Sequence, residues 1–281
     1  MENFIIAIMV VILIIAFCYY ENNWLKTTKL KVKLNTKNKI KIVQLSDLHS
    51  KNFGKDNKVL ENKIRKLNPD LILATGDIID SNLKNLDNIL DFIIRLNKSI
   101  KVVYIPGNNE NRCKKLEYII DTLKENGVIA LRNEITDINI KGEKINILGL
   151  AENIKGKRET GFKRIKETYH HHATEGLFKE FEKRKGLKLV LSHYPEKFKG
   201  DGRYCDYNFH LMFSGHAHGG QFILPFVGGL FAPGQGILPK YYGGMYDGEH
   251  NKLIVSRGLG NSGFPLRLFN RPDVVYLEIY N

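Results

Sequence analysis

An unbroken apolar stretch at residues 4–20 separates the N-terminus from the rest of the chain. A helix over this stretch would be about 25 Å long, slightly short of a bilayer core unless residues 24 and 25 extend it. Tyr19, Tyr20 and Trp24 stand where interfacial aromatic residues are common. The start lacks basic residues and no Ala-x-Ala motif follows, so a retained anchor is favoured over a cleaved signal peptide or a buried core helix. We expect residues 1–25 to be a transmembrane anchor.

Next comes a basic segment, residues 26–41, with seven lysines and no acidic residue. The positive-inside rule therefore places the folded part of a single-pass cell-membrane protein on the cytoplasmic face. Residues 29–34 alternate lysine with aliphatic side chains, the period of a half-buried strand. A second interpretation is that the lysines form the solvent-exposed face of a first strand. We divide the remainder as one domain over residues 42–281.

Within that domain, apolar strands alternate with amphipathic helices up to residue 125, which predicts an α/β fold. The predicted strands lie at 40–45, 71–74 and 102–105, and the helices at 57–67, 83–96 and 116–123. Further strands are predicted at 135–140, 145–150, 187–192, 210–213, 253–256 and 274–279. The polar segment 155–184 is the expected cap or insertion, and the Gly- and Pro-rich segment 219–270 is expected to form loops.

The amino-acid composition excludes only a few classes of protein. The 281 residues are 43% hydrophobic and 26% charged, which is ordinary for a globular protein. The net charge is +13, and subtracting the seven lysines of the basic segment leaves +6, so no nucleic-acid partner is expected. The three cysteines, Cys18, Cys113 and Cys205, are far apart and form no Cys-x-x-Cys pair. They predict neither a disulfide framework nor a thiolate metal site, and they favour a reducing compartment.

Short polar motifs follow five of the predicted strands. They are Asp47-Leu48-His49, Gly76-Asp77, Gly107-Asn108-Asn109-Glu110, Ser192-His193 and Gly215-His216-Ala217-His218. Open α/β sheets present their ligands at the ends of strands. Each motif alone is weak evidence, because short motifs often match by accident. The ordered set of five makes accident the poorer explanation.

Together these motifs supply the ligands of a two-metal site. Two divalent cations about 3.5–4 Å apart need a bridging oxygen and several oxygen and imidazole ligands each. Residues two apart in an extended segment face the same side, so each His or Asp pair can face one cavity. We assign Asp77 as the bridge, Asp47, His49 and His218 to one cation, and Asn108, His193 and His216 to the other.

The motif order over residues 47–218 resembles the calcineurin-like metallophosphoesterase superfamily. Three segments resemble its membrane-anchored bacterial branch, which includes enzymes similar to UDP-2,3-diacylglucosamine hydrolases: 43–49, 215–221 and the tail from 256–258 through 265–269. The resemblance implies a four-layer α/β/β/α sandwich and two divalent ions, Mn²⁺, Fe²⁺ or Zn²⁺. It also implies hydrolysis of a phosphodiester or pyrophosphate bond by metal-activated hydroxide, with a lipid-linked phosphoester among the candidate substrates.

One position departs from the pattern. Asn109 stands where the family usually has a histidine that helps to neutralise or protonate the phosphate oxygens and the leaving group. An amide donates a hydrogen bond but transfers no proton near neutral pH. We keep Asn109 and His193 as the catalytic candidates. Three outcomes stay open: a lower rate, a substrate with a good leaving group, or another donor, such as one of the histidines at 170–172.

Two arginines of the tail, Arg257 and Arg267, are candidate phosphate clamps, with a loop-tying role as an equal alternative. Other functions are also considered. A protein phosphatase is disfavoured because Asp80 is followed by Ser81, without the arginine of the Gly-Asp-x-x-Asp-Arg-Gly motif. A nuclease would want a basic groove. A non-catalytic, metal-stabilised membrane scaffold is the alternative that Asn109 motivates.

Overall fold

A computed structural model describes residues 2–151, 168–200, 202–261 and 264–281. Its helices are α1 (Glu2–Asn23), α2 (Lys58–Leu67), α3 (Leu86–Asn97), α4 (Asn108–Arg112), α5 (Leu116–Glu125) and α6 (Thr168–Glu182). Its longer strands are β1 (Lys26–Lys33), β2 (Ile40–Leu45), β3 (Leu71–Thr75), β4 (Val102–Ile105), β5 (Ile129–Ala130), β6 (Glu134–Ile140), β7 (Glu143–Gly149), β8 (Leu187–Leu191) and β9 (Leu211–Ser214). After them come β10 (Ile223–Leu224), β11 (Gly228–Gly229), β12 (Phe231–Ala232), β13 (Gly236–Ile237), β14 (Gly244–Asp247), β15 (Lys252–Val255) and β16 (Asp273–Tyr280).

The longer strands form two six-stranded sheets. The first has the order β1-β16-β2-β3-β4-β5 and the second has the order β14-β15-β9-β8-β7-β6. In the first sheet β2, β3, β4 and β5 run parallel, and in the second β7, β8, β9 and β15 do so. Parallel strands present their carboxyl ends at one edge, so the residues that follow them are brought together.

Three apolar clusters define four layers. The inner faces of the two sheets pack against each other, and Ile42, Val103, Ile147 and Phe213 are among the residues buried there. Side chains from α2, α3 and α5 cover the outer face of the first sheet. Residues of α6 cover the outer face of the second sheet. Central strands that are buried on both faces read as continuous apolar runs, as β3 and β4 do. The predicted four-layer α/β/β/α sandwich is confirmed.

Helix α1 contains a candidate membrane span over Asn3–Asn23, with a mean hydropathy of 2.6 and none of its most apolar window buried. At about 1.5 Å per residue this span is about 31 Å long, enough to cross a bilayer core. The helix therefore continues past the apolar run that ends at residue 20, and its last turn belongs to the domain surface. There, the side chains of Glu21 and Asn22 are buried.

The lysines at 29, 31 and 33 are exposed on β1, while Val32 between them is buried, as their alternation predicts. Strand β1 pairs with β16, the last strand of the chain, in parallel register from Lys26↔Asp273 to Lys33↔Tyr280. Residues 26–33 of the basic segment thereby form an edge strand of the first sheet.

The segment predicted as a cap, 155–184, is only partly described, because residues 152–167 lie outside the described residues. Of the part that follows, Phe178 and Phe181 of α6 are fully buried against the second sheet. The loops predicted at 219–270 are more structured than expected. They contain the hairpins β10–β11 and β12–β13 and the edge strand β14. These strands are too short, and too interrupted by glycine and proline, to show a hydrophobic period in the sequence.

Candidate metal centre

The predicted ligands meet where the two sheets present the ends of their strands. Asp47 and His49 follow β2, Asp77 follows β3, and Asn108 follows β4. From the second sheet, His193 follows β8, and the pair His216 and His218 follows β9. Six of these side chains form two groups, whose candidate ligand atoms lie within 4.8 Å of one another: Asp47, His49 and His218; and Asp77, His193 and His216. All six are buried except His49, which is half-buried.

Asp77 lies between the two groups. Its Oδ2 atom is 3.4 Å from His193 Nε2, in its own group, and 3.8 Å from His49 Nε2, in the other. In the other group, His218 Nε2 is 3.1 Å from His49 Nε2 and 3.5 Å from Asp47 Oδ1. One carboxylate oxygen is thus within reach of both groups, which is what a bridging ligand requires.

Several buried polar atoms in the cluster point to a cation. His193 Nδ1 lies 2.8 Å from the Thr75 carbonyl, which can only accept, so Nδ1 carries a proton and a neutral ring leaves a lone pair on Nε2. Among the described residues, this Nε2 atom and Asn108 Oδ1 are buried without a hydrogen-bond partner. Imidazole, carboxylate and amide oxygen donors suit Mn²⁺, Fe²⁺ and Zn²⁺. The residues therefore fit a pair of divalent ions.

The spacing of the motifs predicts extended segments, but the loops that carry the predicted ligands are not extended. Five predicted ligands have left-handed backbone conformations: Asp47 (φ 52), His49 (φ 48), Asp77 (φ 52), His216 (φ 63) and His218 (φ 47). Such a conformation costs a non-glycine residue on the order of 1–2 kcal/mol. Hydrogen bonds between loops hold it in place, since the Asp47 and His49 amides donate to the carbonyls of Gly76 and Asp77, each at 3.0 Å. Tight turns therefore place Asp47 and His49 in one group and divide His216 and His218 between the two groups.

Two glycines allow the carboxylates to touch the backbone. A Cβ atom at Gly107 would lie 2.3 Å from Asp77 Oδ1, and one at Gly215 would lie 2.3 Å from Asp47 Oδ2. Both distances are far below van der Waals contact. The His216 amide uses this proximity and donates to both oxygens of Asp47, at 3.0 and 3.1 Å. The glycines in these motifs are therefore required by the approach of the ligands.

The negative charge of the cluster determines its protonation. Burial alone would raise the pKa of Asp77, but His193, His49 and the Asn109 amide hold it well below its usual range. Burial likewise opposes protonation of His193, but Asp77 and Asp47 raise its pKa to about 10. A cation that binds His193 must displace the second proton of its ring, the one on Nε2, so cation binding is linked to pH.

Asn109 binds the bridging carboxylate directly. Its backbone amide donates to Asp77 Oδ1 at 2.7 Å, and its side-chain Nδ2 donates to Asp77 Oδ2 at 2.6 Å. The residue that replaces the usual histidine is thus a double donor to the predicted bridge. Its side-chain amide positions Asp77 in the described structure.

Glu110 is a buried acid of the same cluster for which the sequence motifs predict no role. It is fully buried, and its carboxylate accepts the amides of Gly107 at 2.9 Å, Asp77 at 3.0 Å and Ile79 at 2.9 Å. Burial and the charge of Asp77 raise its pKa to about 7. The acid reaches back to the residue before α4, a capping-box pattern, and this spacing is the signal that could have revealed it.

The two tail arginines are placed differently. Arg267 is buried, with 1% of its surface exposed, and it donates to the carbonyls of Arg257 at 2.9 Å, Asn270 at 3.1 Å and Gly260. Arg257 is half-buried, and its aliphatic carbons pack beside Gly243. These bonds give Arg267 the loop-tying arrangement, and contact of either arginine with a phosphate stays a prediction. The side chains of the histidines at 170–172 lie outside the described part of the chain.

Comparison with known proteins agrees with this geometry. Residues 40–220 match the family described as calcineurin-like phosphoesterase. An uncharacterized metallophosphoesterase of Aquifex aeolicus is 30% identical, over 96% of this chain and 97% of its own length. The phosphodiesterase YaeI of Escherichia coli is 28% identical over 93% and 90%, and the UDP-2,3-diacylglucosamine pyrophosphatase LpxG of Chlamydia muridarum is 25% identical over 92% and 91%.

The chain therefore belongs to the calcineurin-like phosphoesterase family and is a metallophosphoesterase, a phosphoric ester hydrolase. Members of this family typically bind two divalent metals, and the described residues of this chain contain two His/Asp groups that could each hold a metal ion.

Proposed function

We propose that the chain hydrolyses a phosphodiester or pyrophosphate bond of a lipid-linked substrate at the membrane surface, using two divalent cations. The position of Asp77 Oδ2 carries the proposal, because it lies 3.4 Å from a histidine of one ligand group and 3.8 Å from a histidine of the other. A shared ligand between two cation sites is the arrangement that phosphoester hydrolysis by a metal pair needs.

Each ligand has a stated role in this proposal. Asp77 would bridge the cations, Asp47, His49 and His218 would complete one site, and Asn108, His193 and His216 would complete the other. When bound, the two cations supply an activated water as the nucleophile and neutralise charge on the phosphate oxygens. The buried surroundings strengthen these interactions by keeping bulk water away.

Asn109 favours a substrate with a good leaving group. Its side-chain amide is engaged with Asp77 and transfers no proton near neutral pH. A phosphate monoester has a second pKa of about 6, so it leaves a pyrophosphate without being protonated at neutral pH. An alkoxide leaving group would need a proton. The missing histidine therefore supports a pyrophosphate or another activated diester, in keeping with the activity that the name of the Chlamydia muridarum relative states.

The apolar helix supports the lipid-linked part of the proposal. Helix α1 is long and apolar enough to cross a bilayer, and its last turn is buried on the domain that holds the ligands. The exposed lysines of β1 favour the cytoplasmic face of a single-pass protein. A domain held there meets lipid-linked phosphoesters of that leaflet at high local concentration.

Hydrolysis of a bis-aryl phosphodiester and of a nucleoside diphosphate ester by the full chain with added Mn²⁺ tests the proposal. We expect wild type to hydrolyse at least one of them, and Asp77→Ala to fall to the uncatalysed rate. Asp87→Ala, which removes an exposed carboxylate of α3, is the matched control and should keep wild-type activity. Equal turnover by wild type and Asp77→Ala would contradict the proposal. Parallel assays with Fe²⁺ and Zn²⁺ identify the preferred metal.

A further inference from the structure

Large apolar side chains are exposed on the Gly- and Pro-rich loops beside the metal centre. Phe226 is fully exposed, and Ile237 is 76% exposed. We name six such residues the apolar rim: Phe226, Val227, Ile237, Leu238, Phe264 and Phe269. A group of exposed large apolar side chains on a folded domain marks an interaction surface.

The rim contacts helix α1 at a depth inside the candidate span. The ring of Phe269 lies 5.7 Å from the ring of Phe17, at 62° to it. Phe17 lies in the candidate span, three residues, or about 4.5 Å along the helix axis, before the last turn that packs on the domain. A side chain that touches Phe17 lies at the depth of the lipid whenever α1 crosses a bilayer. Phe269 therefore cannot be held in water above the membrane.

Hydrogen bonds fix this junction. The Asn270 amide donates to Glu21 at 2.9 Å, and the Arg271 guanidinium lies 5.3 Å from the centre of the Tyr20 ring. Lys51 also donates to the carbonyl of Asn22. The last turn of α1 is thus bound to the loop that carries Phe269, and the domain has a defined orientation relative to the helix.

The rest of the rim is connected to the same loop. The Ile223 amide donates to the carbonyl of Leu268 at 3.0 Å, and the rings of Phe222 and Phe264 are 5.4 Å apart. Residues 225–227 form the tip of the hairpin that begins at Ile223. The second hairpin is joined to the first through Leu230, whose amide donates to the carbonyl of Phe222 at 2.9 Å. The loops that carry the rim are thus joined to one another, from the Phe269 loop at α1 to the second hairpin.

The charge pattern of the rim segments suits a lipid surface. In residues 219–272 the acidic side chains are Asp247 and Glu249, at the turn between β14 and β15. The other charged side chains of this segment, apart from histidine, are basic; Arg267 is buried and Lys252 pairs with Asp247, which leaves Lys240, Arg257 and Arg271. Apolar tips flanked by basic residues fit a bilayer with anionic headgroups, whereas nearby carboxylates would be repelled.

The same loops reach the metal ligands. Gln221 Nε2 donates to the carbonyls of Phe264 and Leu266, at 3.0 and 2.7 Å. Asn270 Nδ2 donates to the carbonyls of His218 and Gln221, at 2.7 and 3.1 Å. The rim and the His218 loop are therefore held as one unit.

We propose that the apolar rim inserts into the leaflet next to α1 as a second membrane contact, which holds the metal centre at the level of the lipid phosphates. The occupant of the rim is thus the bilayer itself. This proposal rests on α1 crossing the membrane and is independent of which phosphoester is hydrolysed.

Lipid quenching of a single tryptophan tests the proposal. Trp24 is the only tryptophan, so Trp24→Phe gives a silent background for the full chain in vesicles of phosphatidylcholine and phosphatidylglycerol. Phe226→Trp and Ile237→Trp, in separate chains, report on the rim. Tyr118→Trp is the matched control, since Tyr118 is 49% exposed on α5, at the sheet edge opposite β1. We expect brominated acyl chains to remove most of the rim emission and iodide to leave it, with the reverse for Tyr118→Trp.

Two results would overturn the proposal. One is rim emission quenched by iodide and not by brominated lipid, as at the control position. The other is rim emission protected from both quenchers, which would show that a second copy of the chain covers the rim. Quenching of Trp24 in the wild-type chain reports separately on α1. Hydrolysis assayed in the same vesicles keeps a failure of the rim distinct from a failure of the proposed function.

Discussion

Replacement of Glu110 by alanine should destabilise the metal centre more than the loss of any exposed acid. The carboxylate of Glu110 is fully buried and accepts three backbone amides, from Gly107, Asp77 and Ile79, at 2.9 to 3.0 Å. These three amides belong to the two loops that carry the predicted ligands Asp77 and Asn108. Without an acceptor, all three donors would be buried and unpaired.

The magnitude follows from those three bonds. A buried donor left unsatisfied costs about 1–3 kcal/mol, so Glu110→Ala should lower the free energy of unfolding by about 3–9 kcal/mol. That is comparable with the whole stability of a typical domain, about 5–15 kcal/mol. Glu110→Gln keeps one acceptor oxygen in the place of Oε2, which serves Gly107 and Asp77. It should therefore lose about one bond, or about 1–3 kcal/mol.

Thermal and urea unfolding of the full chain in detergent micelles, followed by near-ultraviolet circular dichroism, measures this order. We expect wild type, Glu110→Gln and Glu110→Ala to have successively lower stability. Glu117→Ala is the control, because its side chain is 73% exposed and its ion pair with Arg132 should contribute no more than about 1 kcal/mol. If Glu110→Ala unfolds within the range of Glu117→Ala, the account of Glu110 as the anchor of both loops is wrong.

Three further predictions concern single side chains. Asn109→Ala removes the 2.6 Å hydrogen bond to Asp77, so the metal affinity should fall about 10- to 100-fold with little change in Tm. Metal titration measures this affinity, and an unchanged value would contradict the positioning role of Asn109. Arg267→Met should lower Tm strongly because the carbonyls it binds lose their donors, whereas a raised KM at constant Tm would instead show a phosphate clamp. Burial alone would raise the pKa of Glu61, but its hydrogen bonds from arginines, Arg65 first, hold it below its ordinary 4.5. Glu61→Gln should therefore destabilise above pH 4.5, and the difference from wild type should disappear as pH falls through the lowered pKa of the folded state; a difference in Tm that persists in acid would refute this.

The central strands could be predicted because the pattern that specifies them is local. The predicted bounds of the strands at 40–45 and 102–105 are those of β2 and β4, since each is an apolar run bounded by polar or turn residues. The pairing of β1 with β16 could not be predicted, because 247 positions separate the paired residues Lys26 and Asp273 and no local signal encodes that contact. Strands of two residues, such as β5, are also too short to show the alternation of apolar and polar residues from which strands are predicted.

The clustering of these His and Asp side chains could be predicted for a related reason. Chemistry limits which side chains bind cations, and strand ends limit where those side chains stand. The backbone of the site was not predicted, because the left-handed conformations of residues such as Asp47 and His49 depend on hydrogen bonds from another loop. The contacts of Asn109 and Glu110 with Asp77 also join loops more than 30 residues apart. Such contacts appear only once the sheet has brought the loops together.

The metal content of the purified full chain tests the two-cation site most directly. We expect two divalent ions per wild-type chain by mass spectrometry after equilibration with Mn²⁺, and about one in His216→Ala, which loses a ligand from one group only. His250→Ala, which removes a 79% exposed histidine, should keep two. A wild-type chain that binds fewer than two ions, or a His216→Ala chain that binds as many as His250→Ala, would contradict the site described here.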